Sequence, residues 1–273
     1  MTSLATLVCV HAHPDDEAFF GAGAVAHYAA LGHRVVLVTC TNGQLGIDPA
    51  GLEGNSPLHD DLATKSVRAG ELQRAATLLG YTRLVSLGYD DSGMQGWPQN
   101  DCPSAFVNAE LDAAAGTLAA LFEEEKAKVV VTYDENGFYG HPDHVMANVL
   151  TRRALALSTS VERLYYPVVP KGVITTFVEG AKQLGLSMPA WVVEAGTNVP
   201  DDVVASTLDV TAYAHLKQQA MATHVSQVDN DDLVGMKQEL FTLLFGTEYY
   251  QRAWSRHATT GDATDLFGGM EWD

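Results

Sequence analysis

Val10-His11-Ala12-His13-Pro14-Asp15-Asp16-Glu17 follows an apolar run, Leu4 to Val10, and precedes a small-residue segment, Ala18 to Leu31. A strand that ends in histidine and carboxylate and then turns into a helix is where open α/β sheets place their ligands. Imidazole and carboxylate are also donors that zinc accepts. A second cluster, Tyr139-Gly140-His141-Pro142-Asp143-His144, follows another apolar run, Val129 to Tyr133. Two such clusters at two strand ends read as the halves of one metal site.

Working outward, Arg34–Cys40 reads as a second strand, which completes a strand–helix–strand unit with parallel pairing. Further strands are expected at Leu84–Tyr89, Val129–Tyr133 and Leu164–Val169, and helices at Lys65–Leu79, Ala109–Lys126 and Asp143–Leu157. The pattern predicts an α/β fold: a Rossmann-like core over residues 1–170, its mostly parallel sheet flanked by helices. A smaller C-terminal extension, 171–273, would complete the substrate pocket, with helices at Ala212–His224 and Leu233–Phe245 and a frayed tail from Gly261.

Gly21-Ala22-Gly23-Ala24-Val25-Ala26 has the form GxGxxA, but the glycines fall several residues into the expected helix and the second strand ends in Cys40-Thr41-Asn42. A dinucleotide fingerprint needs the turn itself and an acidic residue at that strand end. The glycines therefore read as packing residues. The glycine-rich loop from Thr41 to Lys65 is long enough to be functional or mobile. Arg68 and Glu71, three apart on a helix, read by themselves as a surface pair of small worth.

The chain has 273 residues, 47% of them hydrophobic, enough for a large core. Its net charge of −18, from 34 acidic against 16 basic residues, makes nucleic acid and anionic membrane poor partners. Nothing resembles a membrane span, and the start, Met1-Thr2-Ser3-Leu4, lacks a basic n-region, so the expected compartment is the cytoplasm. The cysteines Cys9, Cys40 and Cys102 form no CxxC pair, and the first two lie in apolar strands as small hydrophobes.

Catalytic zinc commonly has three protein ligands and one open position. His13 and Asp16 are three apart across a turn, and His141 and His144 are three apart at a helix start, where Pro142 is well tolerated. If His13, Asp16 and His144 fill the ligand set, Asp15 is left as a free carboxylate, the general base a hydrolase needs. A protonated His141 opposite would stabilise an oxyanion and protonate a leaving amine. His11 reads as structural. The same donors suit Fe2+ in a non-haem oxygenase, against which the spare Asp15 argues.

Ala12-His13-Pro14-Asp15-Asp16-Glu17 together with His141-Pro142-Asp143-His144 resembles the LmbE/PIG-L family of zinc-dependent N-acetylglucosaminyl deacetylases, with Thr223-His224-Val225-Ser226-Gln227 continuing the likeness. Among its members, the mycothiol-pathway deacetylase of N-acetylglucosaminyl-inositol and the mycothiol S-conjugate amidase are the most similar. The resemblance implies His13, Asp16 and His144 as metal ligands and Asp15 as base. It implies that His141 stabilises the tetrahedral intermediate, that Asp143 orients His141, and that Tyr139 is a mobile tyrosine at the scissile amide. Arg68 and Asp91 match sugar- or inositol-contacting positions, which displaces the surface-pair reading of Arg68. Phe138 stands where relatives carry glycine, and residues 167–209 have no clear match.

The reading is a zinc-dependent amidohydrolase that removes acetyl from an N-acetylglucosaminyl substrate. Alternatives are a thiol-conjugate amidase, a deacetylase of an antibiotic intermediate, or a sugar- or metal-binding module without catalysis. The expected partner is a small amino sugar, with a homo-oligomer left open.

Overall fold

The computed structural model describes residues 4–183, 198–227, 231–258 and 261–270; residues 184–197, within the unmatched stretch, lie outside this description. β1 (Thr6–His11) is buried at every position. Its side chains alternate between two apolar clusters, Leu7 and Cys9 in one, Val8 and Val10 in the other. A strand covered on both faces has no polar side to show, which is why it reads as a continuous apolar run.

β2 (Arg34–Thr41), β3 (Arg83–Tyr89), β4 (Ala127–Val131) and β5 (Arg163–Pro170) pair in parallel with it, in the order β3-β2-β1-β4-β5. The short β6 (Asn198–Val199) lies beside the end of β5. β7 (Ser206–Asp209) and β8 (Thr247–Ser255) extend the same sheet, β8 antiparallel to both β5 and β7. The chain after residue 170 therefore returns to the core sheet. The strand order reverses between β1 and β4, and the crevice at their carboxyl ends is where such sheets hold ligands. The two histidine clusters follow those two strands.

The single helix expected over Ala18–Leu31 is two: α1 (Asp16–Phe19) and α2 (Ala22–Ala30), separated at Gly21, whose φ of 86° breaks the helix. At Gly23 a Cβ would lie 2.5 Å from Val210, so α2 packs hard against the C-terminal part of the chain. Glu248 of β8 accepts hydrogen bonds from Gly23 N (3.0 Å) and Ala24 N (2.9 Å), capping α2 from a distant strand. The glycines serve that contact.

α3 (Asp61–Leu79) begins earlier than expected because Asp60 caps it through Ala63 N, and ends at Gly80. α4 (Leu111–Glu124), α5 (Gly137–Gly140) and α6 (Pro142–Leu155) follow, then α7 (Lys171–Gln183) and α8 (Ala214–Thr223), which packs against α1, α2 and α3. The helix expected over Leu233–Phe245 is interrupted at extended Lys237, giving α9 (Asp231–Val234) and α10 (Gln238–Phe245). The tail is not frayed across 261–270. Leu266 is fully buried and its carbonyl accepts from Arg163, while Tyr165 donates to Asp262. Among the described residues no helix is long and apolar enough to cross a membrane.

Candidate active site

His13 leaves β1 with its imidazole buried, and each ring nitrogen faces a different group. Nε2 lies 3.2 Å from Asp143 Oδ2, while Nδ1 lies 3.4 Å from Asp16 Oδ2 and 3.3 Å from His144 Nε2. His144 Nε2 is in turn 3.3 Å from Asp16 Oδ1, and its Nδ1 is 3.1 Å from the Gly137 carbonyl. Donation from Nε2 of His13 to Asp143 and from Nδ1 of His144 to Gly137 leaves Nδ1 of His13 and Nε2 of His144 facing Asp16, the two atoms that would bind an ion in their deprotonated form. Second partners of this kind fix the tautomer of metal-binding histidines.

Tetrahedral donors around an ion bonded at about 2.0–2.1 Å sit roughly 3.3–3.4 Å apart. The His13–His144 spacing matches that edge length, and each of the two nitrogens lies at about the same distance from a different oxygen of Asp16, so the three side chains are close enough to hold a zinc-sized ion. His141 stands beside them, and the ligand-type atoms of His13, His141 and His144 all lie within 4.8 Å of one another, as do those of His13, Asp91, His141 and Asp143. Burial works against charge here. Even so, Asp91, Asp143 and Asp16 hold the His13 imidazole well above its ordinary value, and His144 and His13 hold Asp16 well below.

Asp143 departs from expectation. Its carboxylate accepts from His13, from Ser92 N (2.9 Å) and from the Ser92 hydroxyl, and it lies near the His141 ring without a hydrogen bond to it. The link to His141 runs the other way. The Asp143 backbone N–H donates to His141 Nδ1 at 3.1 Å, making His141 the cap of α6. Burial, with His13 and His144 nearby, pushes the His141 pKa well below its ordinary value, and a helix N-terminus also disfavours a cation. A protonated His141 is therefore not supported. Nδ1 accepts the Asp143 N–H, so a neutral ring would carry its proton on Nε2.

Asp15 occupies an unusual backbone position, φ 121° and ψ −30°. Its carboxylate lies 3.0 Å from Arg68 Nη2. Burial raises its pKa, Arg68 pulls it down, and Asp16 pushes it up; the net shift is upward, which strengthens a base. Arg68 is no surface residue: it is 3% exposed and also donates to the carbonyls of Gly43 and Pro14. Glu71, fully buried, accepts from Ser226 instead of pairing with Arg68.

Asp91 is buried, with Oδ1 accepting from Gly93 N at 2.8 Å and lying 3.7 Å from His13 Nε2. Tyr139 is half exposed, its ring centroid 5.0 Å from that of His144. It sits in a turn where Gly137, Phe138 and Gly140 all have positive φ. Phe138 packs its ring on Phe20 at 4.8 Å. Asp15, Arg68, Asp91, Phe138, Tyr139 and His141 all line one cavity of about 1050 Å³.

Sequence reasoning overlooked several supports. Tyr133 donates to Asp16 Oδ2 at 2.6 Å and stacks on His144 at 4.0 Å; it is the last residue of the apolar run entering the second cluster, a signal that could have found it. Ser92 and Glu17 adjoin motif residues and pass as spacers. His11 is fully buried against the Tyr133 and Phe20 rings, outside the donor cluster.

A family description, GlcNAc-PI de-N-acetylase (PIG-L), matches residues 8–155. A 1D-myo-inositol 2-acetamido-2-deoxy-alpha-D-glucopyranoside deacetylase of Geodermatophilus obscurus is 36% identical, over 99% of this chain and 99% of its own. The protein of the same name from Streptomyces avermitilis is 38% identical over 97% of each chain. Among solved structures, an A40926 pseudoaglycone deacetylase aligns over 94% of this chain and 100% of its own with a TM-score of 0.59 at 18% identity. A 4-carboxy-2-hydroxymuconate hydratase from Pseudomonas putida aligns over 94% of this chain and 99% of its own, also at 0.59 and 18%. The architecture is thus shared by different chemistries, and the reaction has to be argued from the side chains.

Proposed function

The chain belongs to the PIG-L family of de-N-acetylases, and from that premise we propose that it is a metal-dependent hydrolase that deacetylates an N-acetylglucosaminyl-inositol substrate. The observation that carries the proposal is the convergence of His13, Asp16 and His144, whose facing atoms lie 3.3–3.4 Å apart, with the Asp15 carboxylate, outside that set, lining the same cavity. His13 through Nδ1, Asp16, and His144 through Nε2 would hold the ion, and the imidazole-rich set suits zinc. Such an ion lowers the pKa of a bound water to about 7 and polarises a carbonyl.

The remaining work falls to this chain's residues. Asp15, its pKa raised, takes the proton of the attacking water. His141, neutral with a proton on Nε2, donates a hydrogen bond to the acyl oxygen as negative charge gathers there. A neutral imidazole that keeps its proton cannot supply the leaving amine, so the proton taken by Asp15 is the one returned to nitrogen. Water and amide are consumed, and acetate and a primary amine form. Arg68 and Asp91 border the cavity as sugar or inositol contacts, and Tyr139 stands at its mouth as a further hydrogen-bond donor.

The cavity itself favours a second reading. Sites of about 300–1,000 Å³ hold drug-sized ligands, and this one reaches about 1050 Å³ with Met94, Trp97, Val173 and Phe245 among its walls. A thiol-conjugate amide of the same sugar would fill more of it. The test is acetate and amine release from N-acetylglucosaminyl-inositol by zinc-reconstituted protein, with a chelated control and a thiol conjugate in parallel. Chelator-sensitive release of acetate supports the deacetylase. Cleavage of the conjugate alone supports the amidase, and silence on both with metal bound overturns the substrate class.

A further inference from the structure

We propose that Glu17 and His224 are positioning residues for Asp15, and that the Thr223–Gln227 segment is the clip that sets the base. The inference rests on the reading of Asp15 as base. The backbone of Asp15, at φ 121° and ψ −30°, lies in a region that L residues rarely adopt. Such a conformation persists only when its surroundings over-determine it. Three contacts do so: Asp15 N–H donates to Glu17 Oε2 at 2.9 Å, its carbonyl accepts from Ala18 N at 2.8 Å, and its carboxylate meets Arg68 at 3.0 Å.

The first of these depends on a residue 207 positions downstream of Glu17. Glu17 is fully buried, and a buried carboxylate needs a partner. That partner is His224, whose Nε2 lies 2.6 Å from Glu17 Oε1, with both side chains at 0% exposure. One carboxylate thus spans two tasks, one oxygen on the base's peptide and the other on His224. The same segment also holds α3, the helix that carries Arg68. Ser226 donates its N–H (3.0 Å) and its hydroxyl (2.7 Å) to Glu71, one turn beyond Arg68 on α3. Neither Glu17 nor His224 lines the cavity, so any effect on the reaction is indirect, through Asp15 as proposed or through the adjacent Asp16, which metal content distinguishes.

The test measures kcat and KM for His224→Ala and His224→Gln, each in the native and the Asp15→Asn background, with bound metal and folded fraction quantified for every variant. Displacement of a catalytic group costs roughly 10- to 100-fold. His224→Ala should therefore lower kcat by that factor while KM and metal content stay near the parent's. His224→Gln keeps an N–H for Glu17 and should recover part of the loss. In the Asp15→Asn background, His224→Ala should cost nothing further, because residues acting as a unit are not additive. Equal losses in both backgrounds, or a loss that tracks metal content, would overturn the positioning role. A native enzyme silent on every amide would instead sink the functional reading on which it rests.

Discussion

Tyr133→Phe removes one oxygen atom from the protein, and the structure says what that atom does. The hydroxyl donates to Asp16 Oδ2 at 2.6 Å and accepts the Ala12 N–H at 2.8 Å, while the ring that the substitution keeps stacks on His144. Burial and the neighbouring Asp16 hold the phenol well above its ordinary pKa, so it stays a donor at every working pH. A hydrogen bond to a charged acceptor contributes about 1.5–3 kcal/mol, and an orphaned buried N–H costs about 1–3 kcal/mol. Tyr133 is 1% exposed and Ala12 is fully buried, which leaves solvent little room to compensate. The expected loss in a urea titration of the metal-free protein is ~2.5–6 kcal/mol. Asp16 also loses the contact that orients it, and loss of an outer partner weakens a metal site by roughly 10- to 100-fold, read by competition with a chelator for zinc. A stability change below about 0.5 kcal/mol with unchanged zinc affinity would refute the account of Asp16.

The other predictions concern separate parts of the molecule. Asp15→Asn should keep the metal and lose turnover by orders of magnitude, whereas His144→Ala should lose the metal after gel filtration; metal content against kcat for the two variants separates base from ligand, and normal turnover by the first refutes the base. Lys217 lies 3.0 Å from Glu248, both buried, so Lys217→Met should destabilise by about 3–5 kcal/mol and Lys217→Met with Glu248→Gln by clearly less, both read by urea unfolding. Burial opposes ionisation of Glu123, yet bonds from Ser158, Ser160 and Thr159 bring its pKa from 4.5 down to about 2. A depressed carboxylate contributes stability above its unfolded pKa and loses it as pH falls through the folded one. Glu123 is exposed and its share is correspondingly small, so Glu123→Gln should shallow, not abolish, the drop in urea midpoint between about pH 5 and about pH 2.

Much of the core was legible because its constraints are local. β1 is buried on both faces and reads as an unbroken apolar run, and His13 and His144 follow strands whose ends the same pattern marks. What escaped depends on contacts distant in sequence. The break at Gly21 is fixed by Glu248 and Tyr250 of β8, which a reading of the segment alone cannot supply. The orientation of Asp143 toward His13 crosses 130 residues of chain. The expectation of a protonated His141 took no account of what surrounds the ring, which is burial and two more imidazoles that push its pKa down.

These misses share a direction, and it bears on how the site is held. The motif residues sit at the ends of β1 and β4, but their supports arrive from elsewhere: Ser92 beyond β3, Tyr133 beyond β4, His224 and Ser226 beyond α8. A fold shared with a hydratase at a TM-score of 0.59 provides the crevice and no particular reaction. The reaction is specified where a ligand-bearing turn meets supports from the far half of the chain. The extension expected to complete the pocket also extends the sheet through β8 and clasps Glu17 and Glu71 through one short segment, so on the proposed mechanism it supports the chemistry of the first part. A chain cut after residue 170 would keep the three proposed metal donors and lose His224, the partner proposed to keep Glu17, and through it Asp15, in place.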